Sequence, residues 1–388
     1  MLTPLGLSPS FGFGDRLGLA TPGHIAAVRG TKFAPVFAQQ SVRENARTGR
    51  SPQQVIDDAK RAVEMAKWEA PWGADADHLK TVEDITAFVE AGYTFYTVDP
   101  GEYVDNAADS DPINVLNQKV AGFNLDEFSA LYLNKDGDQK WGRFEADSLM
   151  RATVKYGRAI QHAVMMFNRL SQMKDSFDFE VSVDETDSPT TPLEHFFIAN
   201  ELNRLGVHFT SLAPRFIGHF EKGVDYIGDL NALDVELAKH AAVTSHFGSY
   251  KLSLHSGSDK FSVYPLLAKH WGDRIHVKTA GTSYLEALRV LAQYEPDLFL
   301  KIYNLGRECY ESDRRTYHVS AKLEMLPKED NLPSLLNNFH AREVLHVTFG
   351  SALAQFGAEI KSSLINHTDA YHSDLERHFR KHLSLLNK

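Results

Sequence analysis

Three histidines that close short apolar runs have the type and placement to hold a metal ion. His78 ends Gly73-Ala74-Asp75-Ala76-Asp77-His78, His219 follows Ala213-Pro214-Arg215-Phe216-Ile217-Gly218, and His255 ends Lys251-Leu252-Ser253-Leu254-His255. Three neutral imidazoles with one open position make a divalent-metal site, zinc first on ligand type and manganese or nickel as alternatives. None of the three belongs to a His-x-x-x-His pair on a helix, so the case rests on the trio meeting in space. Carboxylates stand beside them: Asp77 precedes His78, and Asp184 and Glu185 end another run. Acid/base work on a sugar carbon needs two such groups on opposite faces, one taking a proton as the other gives one. Asp77 is a candidate for one face and Asp184 or Glu185 for the other. Arg215, Lys260 and Lys278 are candidates for binding a substrate carboxylate, arginine as a fork and lysine as a point charge.

These residues are useful only if one scaffold gathers them. Apolar runs bounded by turn residues predict strands over residues 18–24, 33–40, 71–78, 93–99, 179–185, 207–215, 250–255 and 275–280. Between them lie helices with recognisable starts. Ser51 precedes Pro52 and an apolar face of Val55, Ile56, Ala59, Ala62 and Val63; Thr81 precedes another. Thr191 with Glu194, and Ser283 with Glu286, have capping-box spacing. Eight strands each leading into a helix predict a (β/α)8 barrel, whose chemistry sits at the C-terminal strand ends. No glycine-rich phosphate loop follows an early strand, which argues against a doubly wound sheet. The rhythm breaks over residues 101–145, predicting an inserted subdomain or lid after strand 4. Residues 296–388 form a C-terminal segment expected to wrap the barrel, with a further strand at 345–349.

Alternation along the strands places polar groups inside. Lys251, Ser253 and His255 share one face of their strand, and Glu180, Ser182 and Asp184 one face of theirs. Buried polar atoms without partners cost about 1–3 kcal/mol each, so these must be paired or must hold a ligand. A sugar or a metal suits such an interior better than an apolar ligand.

Composition sets the outer limits. A net charge of −10 argues against phosphate-backbone binding, so no nucleic-acid partner is expected. The single cysteine, Cys309, excludes an internal disulfide and a cysteine zinc site. Residues 1–13 have neither a basic start nor a long apolar run, so a cytoplasmic protein without membrane attachment is expected.

Several phrases are longer than chance spacing. Ser182-Val183-Asp184-Glu185-Thr186-Asp187-Ser188-Pro189-Thr190-Thr191-Pro192 with Glu194-His195, Leu254-His255-Ser256-Gly257-Ser258-Asp259-Lys260-Phe261, the run from Gly73 to His78, and Phe13-Gly14-Asp15-Arg16 resemble the tagaturonate/fructuronate epimerase family. That resemblance, over about residues 11–349, implies a divalent-metal-dependent epimerase that inverts C4 of a keto-hexuronate. It suggests His78, His219 and His255 as metal ligands, with Asp77 and one of Asp184 or Glu185 moving protons. The C4 hydrogen is not next to the C2 carbonyl, so enolisation cannot invert that centre; opening and re-forming the C3–C4 bond by retro-aldol chemistry can. A related uronate isomerase or dehydratase, or a non-catalytic sugar-binding barrel, are the alternatives. A glycosidase fits less well, because its carboxylate pair works without clustered histidines.

Overall fold

The strands are short, and several of the helices that follow them begin where a capping side chain stops the extended backbone. The computed structural model describes residues 1–133, 140–328 and 331–387. Residues 134–139 of the expected insertion, and 329–330 and 388 of the expected C-terminal segment, lie outside the described residues. The first half runs β1 (Ser10–Phe13), α1 (Thr21–Val28), β2 (Ala34–Ser41), α2 (Val42–Thr48), α3 (Pro52–Met65), β3 (Gly73–Leu79), α4 (Val82–Ala91) and β4 (Phe95–Val98). Ser51 caps α3 in a reciprocal box with Gln54, Pro52 takes the first turn, and Val55, Ile56, Ala59 and Ala62 are buried.

The insertion follows as α5 (Ile113–Lys119) and α6 (Leu125–Tyr132), leading to the long α7 (Ala146–Ser171). Ala108, Leu116 and Val120 pack on Val154 of α7. Next to them the buried Lys155 ammonium binds Asp109 and Glu194, at 2.9 and 3.0 Å. The second half comprises β5 (Asp178–Ser182), α8 (Pro192–Arg204), β6 (Ser211–Ala213), α9 (Leu230–Phe247), β7 (Lys251–Leu254), α10 (Tyr264–Trp271), β8 (Ile275–Thr279) and α11 (Thr282–Tyr294). All eight strands pair in parallel in chain order, and β8 pairs with β1, so the sheet is a closed barrel. The (β/α)8 prediction holds.

Three local expectations are corrected. The first strand is Ser10–Phe13, and residues 18–24 lead into α1, where Pro22 fits the first turn. Its glycines are what the strand needs: a Cβ on Gly12 would lie 1.6 Å from Gln39 Oε1, and one on Gly14 2.5 Å from the Ala280 carbonyl oxygen. His24 is therefore no strand-end group. It is buried in α1, with Nε2 2.8 Å from Ser283 Oγ. Ser283 and Glu286 form no capping box, because Ser283 donates to the Gly14 carbonyl and Glu286 accepts from Arg289.

The C-terminal segment is helical: α12 (Pro296–Asp313), α13 (Leu332–Leu335), α14 (Phe339–Val347), α15 (Phe349–Asn366) and α16 (Thr368–Leu386). The strand expected at 345–349 falls on the end of α14 and the start of α15, where Leu345, Val347 and Phe349 are buried. Its apolar run serves helix packing instead. On α16, Phe379 packs edge-on against Phe13 and His24, at 5.1 and 5.0 Å between ring centroids. Among the described residues no helix is long and apolar enough to cross a membrane.

Candidate active site

The barrel interior is organised by one ammonium. Lys278, on β8, reaches Asp75 and Asp77 of β3 at 2.6 and 2.9 Å and Glu180 of β5 at 2.9 Å, and it also donates to Thr97 of β4. Glu180 is fully buried; it accepts from Ser211 of β6 at 2.5 Å and sits 2.7 Å from His255 Nε2. With Thr97 of β4 also donating to it at 3.3 Å, this one carboxylate touches residues from four other strand positions, as an inward-facing side chain must. Burial would raise the Glu180 pKa, but Lys278 and His255 outweigh it and hold Glu180 charged, well below its usual value. Asp77 is likewise held down against burial by Lys278, His78 and His255. Asp75, the deepest, goes the other way: burial lifts it to about 7 despite Lys278.

The histidines sit above this cluster, at the C-terminal mouth. His78, next to last in β3, has φ 52°, a left-handed conformation rare for a side chain of this size, where the β3–β4 register shifts. Its ring lies 5.0 Å from that of His255, nearly perpendicular. Ligand atoms of Asp77, His78 and His255 all lie within 4.8 Å of one another, as do those of His78, Asp99 and Glu185. His78 Nδ1 faces Asp99 Oδ2 at 3.5 Å, and both atoms are buried without a hydrogen bond. His255 Nδ1 lies 3.2 Å from Asp184. Burial would lower both imidazoles. Instead Asp77 and then Asp99, Glu185 and Asp184 raise His78 to about 10, and Asp184 with Glu180 raises His255 to about 9 against Lys278. So many acids facing two imidazoles call for added positive charge. Imidazole and carboxylate donors with unsatisfied buried atoms suit a borderline divalent cation.

A cavity of about 150 Å³ opens beside this group, lined by Asp184, Glu185, His255 and Ser256, by Arg215, His219 and Lys222 from the β6–α9 loop, and by Thr316, Tyr317 and His318. The predicted residues divide accordingly. Asp77, His78 and His255 meet, and Asp184 and Glu185 both face the cavity, so strand parity does not choose between them. His219 is an exposed member of the cavity wall and stands outside the tight group. Arg215 lines the cavity, and among the described residues its guanidinium has no hydrogen bond or ion pair. Lys260 and Lys278 do not line it. Lys260 is buried and donates to the carbonyls of Glu221, Val224 and Ser258, while Lys278 is taken up by three carboxylates.

Comparison with known proteins places the chain in a family. The family model of UxaE, tagaturonate epimerase, matches residues 3–386. The chain belongs to the tagaturonate epimerase family. A Thermotoga maritima protein named tagaturonate/fructuronate epimerase is 42% identical over a 396-residue alignment, covering 98% of this chain and 81% of that protein. Crystal structures of fructuronate-tagaturonate epimerase UxaE from Cohnella laeviribosi, native and with glycerol, are 40% identical with TM-scores of 0.95 and cover 100% of this chain and 83% of theirs. A probable tagatose 6 phosphate kinase from Sinorhizobium meliloti, 13% identical with a TM-score of 0.52 over 98% of this chain and 100% of that one, shares the fold alone.

In this tagaturonate epimerase family member, sequence reasoning did not single out six residues that the fold brings to the cluster or the cavity. Glu180 had a visible signal, since alternation put it inside with Ser182 and Asp184. Asp99 was readable only as a strand-end acid. Lys222, whose Nζ donates to Ser256 Oγ at 2.6 Å, lies in a loop without periodicity. Thr316 to His318 come from the C-terminal segment, and only the fold brings them to the mouth.

Proposed function

We propose that this chain interconverts D-tagaturonate and D-fructuronate by inverting C4 through retro-aldol and aldol steps, with a divalent cation bound at the barrel mouth. The observation that carries this reading is the meeting of Asp77, His78 and His255 ligand atoms within 4.8 Å, next to a cavity that holds both carboxylates and cations. His78 and His255 would hold the cation, with the Asp77 carboxylate standing beside them, and His219 would complete the set by turning in from the cavity wall. When bound, the cation supplies Lewis acidity toward the developing negative charge.

The chain's own residues do the rest. Arg215 and Lys222 hold the sugar-acid carboxylate, Arg215 as a two-pronged donor. Asp77 and Glu185 work as a pair on the C4 hydroxyl. One takes its proton, the C3–C4 bond opens to an aldehyde at C4 and an enediolate over C2–C3, and the aldehyde turns its other face. The bond re-forms and the second carboxyl group returns a proton to the new C4 oxygen; in the reverse direction the two exchange roles. Asp184 is engaged by His255 and Ser182 and fixes the imidazole. Asp99 orients His78 from behind. Lys278 holds Asp77 in place and charged.

Incubating the purified protein with tagaturonate and resolving products by NMR tests the reaction. Fructuronate is expected, with activity lost on chelation and restored by a divalent cation. A uronate isomer changed at another carbon, or a dehydrated product, would point to the related isomerase or dehydratase. Turnover in D2O separates the routes: deuterium appearing at C4 would exclude bond cleavage and recondensation, which leave that hydrogen in place.

A further inference from the structure

Between α12 and α13 the chain passes along the cavity as a strap, residues 314–321, a single 3-10 turn at Arg314–Thr316 followed by chain in neither helix nor strand, and it is fastened at both edges. On one edge Arg47 of α2 donates to Tyr317 Oη at 2.6 Å and to Thr316 Oγ1 at 2.9 Å, and Arg43 donates to the Thr316 carbonyl at 3.3 Å. Both guanidinium groups also lie 5.0 Å from the Tyr317 ring centroid. On the other edge Ser320 donates its backbone N–H and its hydroxyl to Glu221, at 2.9 and 2.7 Å, and Ala321 N–H donates to Glu343 at 2.8 Å. Val319 and Ala321 are buried against Tyr310, Val344 and Val347.

Between these fastenings one side chain is left over. His318 lines the cavity, is exposed, and among the described residues its ring has no hydrogen bond, ion pair or ring contact. A segment fixed by so many contacts, with a single free imidazole turned to the cavity, is a preorganised wall. The same cavity holds the unpaired Arg215 guanidinium and Lys222.

We propose that the strap is the specificity wall of the active site and that His318, together with Arg215 and Lys222, recognises the carboxylate of the sugar acid. The proposal rests on the keto-hexuronate reading above. His318 touches the non-reacting end of the substrate, so it contributes to binding in ground and transition states alike. Arg47 is a positioning residue that acts through Thr316 and Tyr317.

The test compares wild type, His318→Ala, His318→Asn, Arg47→Met and the double variant His318→Ala/Arg47→Met. Each is assayed for tagaturonate turnover, and for binding of tagaturonate and of uncharged D-tagatose by calorimetry on the metal-loaded protein. His318→Ala is expected to raise KM and weaken tagaturonate binding by about tenfold, the worth of one hydrogen bond to a charged group, with kcat changed less than about threefold. His318→Asn, which keeps an N–H donor, recovers part of the loss, and tagatose binding does not move. Arg47→Met raises KM in the same sense, and the double variant loses less than the sum of the two singles. Unchanged tagaturonate binding in His318→Ala, an equal loss for tagatose, or a loss confined to kcat would overturn the proposal. A wild type that binds tagaturonate without epimerising it would sink the epimerase reading instead, and calorimetry would still decide the role of His318.

Discussion

Replacing Lys278 by methionine removes the one charge that three buried carboxylates share while nearly keeping the side-chain volume. Asp75 and Glu180 are fully buried and Asp77 nearly so, and their oxygens lie 2.6, 2.9 and 2.9 Å from the ammonium. Breaking a buried ion pair from one side costs about 3–5 kcal/mol, because the remaining charge stays desolvated. Here the acids would respond by taking up protons, and each pKa unit above the unfolded value costs about 1.4 kcal/mol at neutral pH. A loss of about 4 kcal/mol at pH 7 is expected. With an unfolding entropy near 2.1 cal/mol/K per residue, that lowers the thermal midpoint of a 388-residue chain by about 5 °C. The sign of the pH dependence follows. Carboxyls whose folded pKa rises add stability as pH falls, so the deficit against wild type should shrink by about 1.4 kcal/mol per unit per proton from pH 7 toward pH 5. Urea unfolding at both pH values, with Lys278→Met/Asp75→Asn as a partial rescue, reads this out. A deficit below about 1 kcal/mol, or one as large at pH 5 as at pH 7, would refute the account of Lys278 as the charge centre. An undisturbed fold with a raised KM would return Lys278 to substrate binding.

The remaining expectations concern the mouth. His78→Ala and His255→Ala should each lose bound divalent cation, seen as a fall in metal-to-protein ratio after dialysis; full retention in both would remove the proposed ligand set. In the metal-free protein the surrounding acids hold the two rings protonated up to about 10 and 9, so cation binding at pH 7 must expel those protons. Calorimetry in buffers of different ionisation enthalpy should record about two protons released per cation, with affinity rising as pH rises toward 9; release near zero contradicts the assignment. Glu185→Gln and Asp77→Asn should each lower kcat about 10²–10⁴-fold as general acid/base removals do, with tagaturonate binding largely kept in Glu185→Gln. Wild-type turnover in either variant would exclude that residue from proton transfer.

The fold was legible where local chemistry and tertiary packing agree. Seven strands fall on the runs read from the sequence, and the α3, α4 and α8 starts carry a cap or a proline, signals that are local. β1 failed because Phe11-Gly12-Phe13-Gly14 looks like a turn; its glycines answer to Gln39 and Ala280, which are remote in sequence. The stretch at 345–349 failed in the opposite sense, its apolar side chains helical because neighbouring helices bury them. In the site, His78, His255, Asp77 and the Asp184–Glu185 pair stand at strand ends, which a barrel brings together wherever they fall in the chain. The surroundings of the two lysines were not legible, for a physical reason. A strand-end lysine reads as a free cation, and only the fold reveals that Lys278 faces three carboxylates and Lys260 three carbonyls.

Lys278 also bears on the cation proposed at the mouth. Asp75 lies two residues deeper in β3 than Asp77, about 6–7 Å along the strand, and Lys278 spans both levels. It neutralises the lower acids without filling the upper ones. Asp77, which also faces His78, together with Asp99, Asp184 and Glu185 then leaves two imidazoles among acids with too little positive charge, which is why those rings bind protons so firmly. A divalent cation and two ring protons are competing answers to the same surplus. It follows that adding a negative charge at the mouth should tighten both, while Asp184→Asn should lower the ring pKa values and the cation affinity together. Movement of one without the other would separate the electrostatics of the site from its metal binding.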